Sequence, residues 1–109
     1  MFYHYNKDSP GEVTMAVYAI AQLSIHDRER YQKYVAGFMP ILIKYGGRLL
    51  AADEKPEVLE GEWDRHKIVV LSFPDRDSWQ RWAKSDEYQE IAKDRTISKS
   101  GPVLLVHGV

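Results

Sequence analysis

The chain has 109 residues, the size of one domain, and a chain of that length buries roughly two-thirds of the surface its unfolded form exposes. Fifteen Lys and Arg against 16 Asp and Glu leave a formal net charge of −1, with no basic excess to drive binding to a phosphate backbone. There is no cysteine, which excludes disulfides, thiolate nucleophiles and cysteine metal sites, and no apolar run is long enough to cross a bilayer, so neither a nucleic-acid nor a membrane partner is expected.

Residues 1–14 (MFYHYNKDSPGEVT) lack the apolar stretch and small-residue cleavage site of a secretory signal. With cysteine absent, a reducing, cytoplasmic setting fits the chain. The segment carries Phe2, Tyr3 and Tyr5. Two readings stand side by side: Met15 is the natural start and the leader a remnant, or the aromatic arm packs onto a partner chain. The expected organisation is a leader over 1–15 and a single domain over 16–109.

Val17–Ile25 (VYAIAQLSI) is short, apolar and bounded by cap residues, which predicts a strand. Asp27 is placed to cap a helix, with Glu29 in its first turn where negative charge suits the helix dipole. Tyr31, Tyr34, Val35, Phe38, Leu42 and Tyr45 recur at steps of three and four, one face of a long amphipathic helix. Pro40 lies inside it and cannot donate to the carbonyl of Ala36, which predicts a kink near Gly37–Pro40 or a second helical piece starting at Pro40. Gly46 or Gly47 ends the helix.

Arg48–Ala52 reads as a second strand. Lys55-Pro56 interrupts it, with Val58–Leu59 as a further pairing segment before Gly61. Lys67–Phe73 (KIVVLSF) is the strongest strand in the chain. Asp75 or Asp77 caps a helix carrying Trp79, Trp82 and Ala83, and Ser85-Asp86 restarts it with Tyr88, Ile91 and Ala92 on the apolar side. Gly101-Pro102 closes that region and Val103–Val106 forms the last strand.

The order β-α-β-β-α-β is the ferredoxin-like pattern, an α+β fold with a four-stranded antiparallel sheet and both helices on one face. The other face of such a sheet should be polar where it meets water. Here Ile68 and Val70 point one way and Val69, Leu71 and Phe73 the other. Tyr18 and Ile20 likewise oppose Val17, Ala19 and Leu23. Both faces want cover, and a second copy of the same sheet is the simplest cover, so a two-fold homodimer is expected.

Several segments together resemble a known family. They are the Tyr18 strand, Asp27 with Tyr31 and Tyr34, the Tyr45-Gly46-Gly47-Arg48 turn, and Glu60-Gly61 with Trp63. Phe73-Pro74, Trp82, Ser85-Asp86-Glu87-Tyr88, Arg95 and the closing strand to Gly108 continue the pattern. Over Ala16–Val109 the chain resembles the domain-of-unknown-function 1330 family, within the dimeric α/β-barrel superfamily. The resemblance implies a ferredoxin-like subunit that pairs sheet to sheet into a homodimeric barrel. Superfamily relatives include antibiotic-biosynthesis monooxygenases, dye-degrading enzymes and small polyketide cyclases, several of which perform oxygen or proton chemistry without a metal. The family itself has no agreed activity, so the resemblance carries over no catalytic residue.

The chemistry-bearing residues are few. His4, His26, His66 and His107 include no pair at the i, i+4 spacing of a helical metal site, so no metal and no other cofactor is expected. His66, at the start of the strongest strand near Trp63 and Glu60, is the acid/base candidate, because histidine titrates near neutral pH. It also reads as a strand-end histidine half in solvent. Trp63, Trp82, Tyr34 and Tyr88 suit the wall of a pocket for a flat organic ligand, and equally suit core filling. Arg95 and Arg48 are candidates to hold a carboxylate or phenolate, and equally read as solvated surface charges. Gly46-Gly47 follows a helix rather than a strand and is a helix stop, not a phosphate loop. The strand Lys67–Phe73 lacks the glycine-aromatic pattern of RNA-recognition domains.

Two functional expectations follow. One is a cofactor-independent enzyme or binding protein that takes a small aromatic or carbonyl compound between sheet and helices. There His66 shuttles a proton, Arg95 or Arg48 holds an anionic group, and Trp82, Trp63, Tyr34 and Tyr88 form walls. The other is a non-catalytic homodimeric module that binds a ligand or protein partner. An open cavity lined by Trp82, Tyr34 and an ionisable group favours the first, and a fully packed interior the second.

Overall fold

A computed structural model of the chain describes residues 4–5 and 13–109. Of the leader, β1 (His4–Tyr5) and β2 (Val13–Thr14) form a two-residue antiparallel pair. The expectation of an aromatic arm involves Phe2 and Tyr3, which lie outside the described residues.

The main sheet is built on β3 (Val17–Ile25), the central strand. β5 (Lys67–Phe73) pairs along one edge of it and β7 (Val103–His107) along the other, both antiparallel. β4 (Arg48–Asp53) adds outside β5, also antiparallel. The sheet order β4-β5-β3-β7 is that of a ferredoxin-like fold, as the element order predicted. One element was not expected. β6 (Lys99–Ser100) pairs antiparallel with the end of β3, setting Lys99 opposite Ile25.

Because side chains alternate across a strand, the register sorts the sheet into two faces. Val17, Ala19, Ala21, Leu23 and Ile25 of β3, with Val69, Leu71 and Phe73 of β5, face the helices. Tyr18, Ile20, Ile68, Val70, Leu104 and Val106 face away. The helical layer is α1 (Arg28–Lys44), α2 (Arg76–Lys84) and α3 (Asp86–Ser98). The core between the layers holds Val17, Leu42 and Phe73, nearly inaccessible to water, beside Tyr31, Phe38, Trp82 and Tyr88. Burying one such large apolar side chain contributes about 1.5–3 kcal/mol.

The caps follow the sequence. Asp27 accepts the Arg30 N–H at 3.1 Å to start α1, and Asp75 accepts the Ser78 N–H at 2.7 Å to start α2. Ser85 both ends α2 and starts α3, accepting the Tyr88 N–H at 3.1 Å. α1 stops where the N–H of Gly47 bonds the Leu42 carbonyl at 2.9 Å and that of Gly46 bonds Ile43 at 3.0 Å. This paired closure needs a left-handed residue, and Gly46 supplies it at φ 81°.

Two local expectations are corrected. α1 is one helix through Pro40, so no second helical piece starts there. Proline costs the helix one N–H, and the Ala36 carbonyl it would have reached lies on the exposed side with Pro40, where water can bond it. Val58–Leu59 forms no strand: residues 54–66 contain none, and Leu59 is 87% exposed. Lys55-Pro56 and Gly61 leave too little extended backbone between them to pair with β4. No helix among the described residues is long and apolar enough to cross a membrane.

Candidate functional site

Between the helix-facing side of the sheet and the helices lies a cavity of about 500 Å³, within the range of small-molecule sites. Its floor is the β3 and β5 face, at Ala19, Ala21, Val69 and Leu71, where small side chains leave room. Its walls are aromatic. The Trp82 ring sits 4.0 Å from Tyr88, 5.3 Å from Phe73 and 6.1 Å from Phe38, centroid to centroid, the last in an edge-on arrangement. Tyr34 packs on Phe38 at 5.5 Å and presents its hydroxyl to that of Tyr88 at 3.0 Å.

The register gives the cavity a direction. Its apolar end lies where Leu49, Leu71 and Ala19 sit side by side on neighbouring strands. The other end follows β3 to Leu23 and Ile25, whose partners across the sheet are Lys67 and Lys99. Arg95, in the last turn of α3, joins them, so three cations line one cavity. Among the described residues, no Asp, Glu or His lines it.

Each cation is held differently. The Lys67 ammonium lies 5.0 Å from the centre of the Tyr31 ring, a cation–π contact. Lys99 is only 8% exposed, and no hydrogen bond or ion pair within the described residues reaches its ammonium. Burial, and then the charge of Arg95, push Lys99 down to about 8 from its ordinary 10.5. Arg95 keeps its Nε buried without a partner, and so does Trp82 its Nε1. Burial, reinforced by Tyr88, holds the Tyr34 phenol far above its ordinary value, so Tyr34 remains a neutral hydroxyl.

The residues singled out from the sequence divide between the two faces of the sheet. Trp82, Tyr34, Tyr88 and Arg95 all line the cavity. His66, Trp63 and Arg48 do not. His66 is fastened to the strand end, its N–H donating to the Leu23 carbonyl at 2.7 Å and its Nδ1 accepting the Ile25 N–H at 2.9 Å. That second bond requires Nδ1 to carry no proton. Trp63 Nε1 donates to Gln22 Oε1 at 3.2 Å, on the face away from the helices. Arg48 pairs in register with Ser72, whose other neighbour is Tyr18, and so belongs to that outer face too.

Lys99 and Lys67 were missed. Lys99 sits four residues after Arg95, the spacing that stacks side chains on one helix face, and this was the available signal. Its burial was not readable, because it depends on the short β6 pairing that folds Lys99 back beside Ile25. Among the described residues, no group of three or more His, Cys, Asp or Glu is arranged to hold a metal ion.

The family model described as Domain of unknown function (DUF1330) matches residues 16–109. No curated protein matches the sequence. Among solved structures, a protein of unknown function from Rhodopseudomonas palustris superposes with a TM-score of 0.71 at 14% identity, covering 86% of this chain and 81% of that one. SnoaB, a cofactor-independent oxygenase from Streptomyces nogalater, gives 0.63 at 11% identity over 84% and 90%. A dimeric ferredoxin-like protein of unknown function from Thermobifida fusca gives 0.56 at 12% identity over 97% and 99%. At these identities the likeness is one of fold.

Proposed function

The chain belongs to the domain of unknown function (DUF1330) family, and from that premise we propose that residues 16–109 form one domain that binds a small aromatic or carbonyl compound in the cavity between sheet and helices and acts on it without a cofactor. The observation that carries this reading is the aromatic-walled cavity of about 500 Å³ with three cations at one end. An interior kept only for packing would be closed, because proteins fill their cores to near crystal density.

The chemistry that suits the cavity is stabilisation of negative charge. Oxygenation of a phenol and proton removal beside a carbonyl both pass through an electron-rich phenolate or enolate. Arg95 and Lys99, on the cavity lining, would stabilise such an oxyanion, and stabilisation of that kind is commonly the largest single contribution to catalysis. With no Asp, Glu or His on the lining among the described residues, the proton shuttle expected of His66 has no support from its position. Lys99, lowered to about 8, is the better candidate to carry a proton. That SnoaB shares the fold and is a cofactor-independent oxygenase is consistent with this chemistry.

The same reading includes a homodimer. Ile20, Val70, Leu104 and Val106 form an apolar patch on the face away from the helices, with Leu104 49% exposed, and a second copy of the sheet would cover it.

The test is a thermal-shift screen of the purified chain against aromatic acids, phenols, quinones and common cofactors. A ligand that binds only the folded state at a hundred times its dissociation constant stabilises by about 2.7 kcal/mol. A shift with one organic class, lost on replacing a cavity residue such as Ala21 by Phe, is the expected result. Shifts that survive the filling of the cavity would place binding elsewhere and end this reading.

A further inference from the structure

No carboxylate among the described residues faces the cations of the cavity. Among the described residues, two buried side-chain nitrogens lack a hydrogen-bond partner, Trp82 Nε1 and Arg95 Nε, and both side chains line this cavity. Both nitrogens are donors only. Lys99, 8% exposed as a residue, brings its cation to the same lining. The Tyr34–Tyr88 bond uses one hydroxyl hydrogen of the pair and leaves the other free to donate. A cation drawn out of water without an anion costs stability, and among the described residues no Asp or Glu lines the cavity to offset it. Lys67, Arg95 and Lys99 thus bring positive charge to a cavity with no carboxylate among the described residues, and negative charge on a ligand would balance it.

From this arrangement we infer that the ligand is an organic monocarboxylate with an apolar body. Its carboxylate lies against Arg95 and Lys99 at the α3 end of the cavity, and its body against Phe38, Val69 and Leu71. This rests on the cavity being a small-molecule site and adds which molecules it takes. A single carboxylate fits better than a phosphate for two reasons. Phosphate sites use the many N–H groups of a helix N-terminus or a glycine loop, whereas Arg95 and Lys99 sit at a helix C-terminus. The carbonyls at that end already bring partial negative charge, so one further negative charge suffices for the pair. The rest of the ligand meets a largely apolar surface, which favours a body without charge.

The pair also sets a pH dependence. The groups that share the cavity with Lys99 are Arg95 and Tyr88 on α3, Lys67 on β5, and Tyr31 and Tyr34 on α1. None is an acid that would hold the ammonium in place. In the ligand-free protein Lys99 gives up its proton from about pH 8. A carboxylate binds the protonated form, so its affinity falls as pH rises above that value, by up to about tenfold per unit. A neutral ligand of the same shape has no such dependence.

The experiment is calorimetric titration of the full chain with benzoate and 2-naphthoate against benzamide and 2-naphthamide, at pH 7 and pH 9.5, with inorganic phosphate as a separate probe. Wild type, Lys99→Met and Arg95→Gln are compared. The expected result is that an acid binds about tenfold or more tighter than its amide at pH 7, the ratio for one charge-assisted hydrogen bond. The preference shrinks at pH 9.5 and collapses in Lys99→Met, which still binds the amide. Should Arg95→Gln fail to fold, Lys99→Met carries the test alone. Equal binding of acid and amide by the wild type, or a preference untouched in Lys99→Met, overturns the carboxylate assignment while the cavity remains a binding site. Phosphate binding tighter than either acid overturns it as well. No binding by acids, amides, phenols or quinones removes the small-molecule reading and this inference with it.

Discussion

The hydroxyl oxygens of Tyr34 on α1 and Tyr88 on α3 lie 3.0 Å apart, joining two helices across 54 residues of sequence. Their rings meet edge to face at 6.2 Å, and both residues are buried. The bond thus satisfies two polar atoms that water barely reaches, and it fixes one wall of the cavity. Either Tyr→Phe change should cost about 1 kcal/mol, because the remaining hydroxyl loses its partner. The double change should cost clearly less than the sum of the two, since it leaves no orphan. Urea denaturation of the four proteins checks this, and strictly additive losses would mean that the bond does not form in solution.

Lys99 makes stability rise with pH. Its folded value is about 8 against an ordinary 10.5, so below pH 8 both states carry the proton and the folded state bears the full cost of a buried charge. Between about 8 and 10.5 the unfolded chain binds the proton more strongly, and the folded state gains as pH climbs. Lys99→Met should therefore be more stable than wild type at pH 7, with the gap narrowing from pH 8 upward. Denaturant midpoints at pH 7, 8.5 and 10 test it. A wild type that is the more stable at pH 7 would show that the ammonium is paired in solution.

Gly47 is required for space rather than for backbone freedom. A Cβ there would run into Leu42 Cδ1 and come within 2.7 Å of Phe73 Cε1, two of the most buried side chains in the chain. Gly61, in contrast, has φ 79° and nothing within 4 Å. Gly47→Ala should lose about 1–3 kcal/mol through overpacking. Gly61→Ala should lose about 1 kcal/mol, the cost of a left-handed backbone with a side chain. Thermal melts of both variants decide it, and a Gly61→Ala loss equal to or above that of Gly47→Ala would contradict the packing described here.

The apolar outer face predicts the state of association. Leu104 pairs in register with Ile20 at its centre, so Leu104→Glu should place a charge in a buried sheet-to-sheet contact. Sedimentation at micromolar concentration should give twice the 12.7 kDa chain for wild type and one chain for the variant. A wild-type mass of 12.7 kDa would remove the dimer.

Most of the fold could be read along the chain, because strands and helices here are set by short-range patterns. Val17–Ile25 and Lys67–Phe73 are strands over the spans their composition predicts, and Asp27 and Ser85 cap the helices they precede. A second helical piece starting at Pro40 does not form, since the cost of an interior proline depends on whether the freed carbonyl meets water. Ala36 and Pro40 share an exposed face that only the packed helix defines. The pair Val58–Leu59 misled for a related reason. Two β-prone residues make a strand only when a neighbour offers an edge in register.

The candidate site was half legible. Trp82, Tyr34, Tyr88 and Arg95 were picked from the sequence as large or charged residues of helical segments, and the cavity gathers all four. His66, Trp63 and Arg48 carry the same chemistry on strand or loop segments. For them a one-residue difference in register decides the face, and they lie outside the cavity. By itself, then, the sequence determined the order of elements, their caps and the apolar character of both sheet faces, because each depends on residues a few positions apart. Only the tertiary structure decided which side chains share the cavity, that Lys99 is drawn inside beside Arg95, and that the donors there lack an acceptor. Those properties depend on burial and on contacts between residues far apart in the chain, which no local pattern encodes.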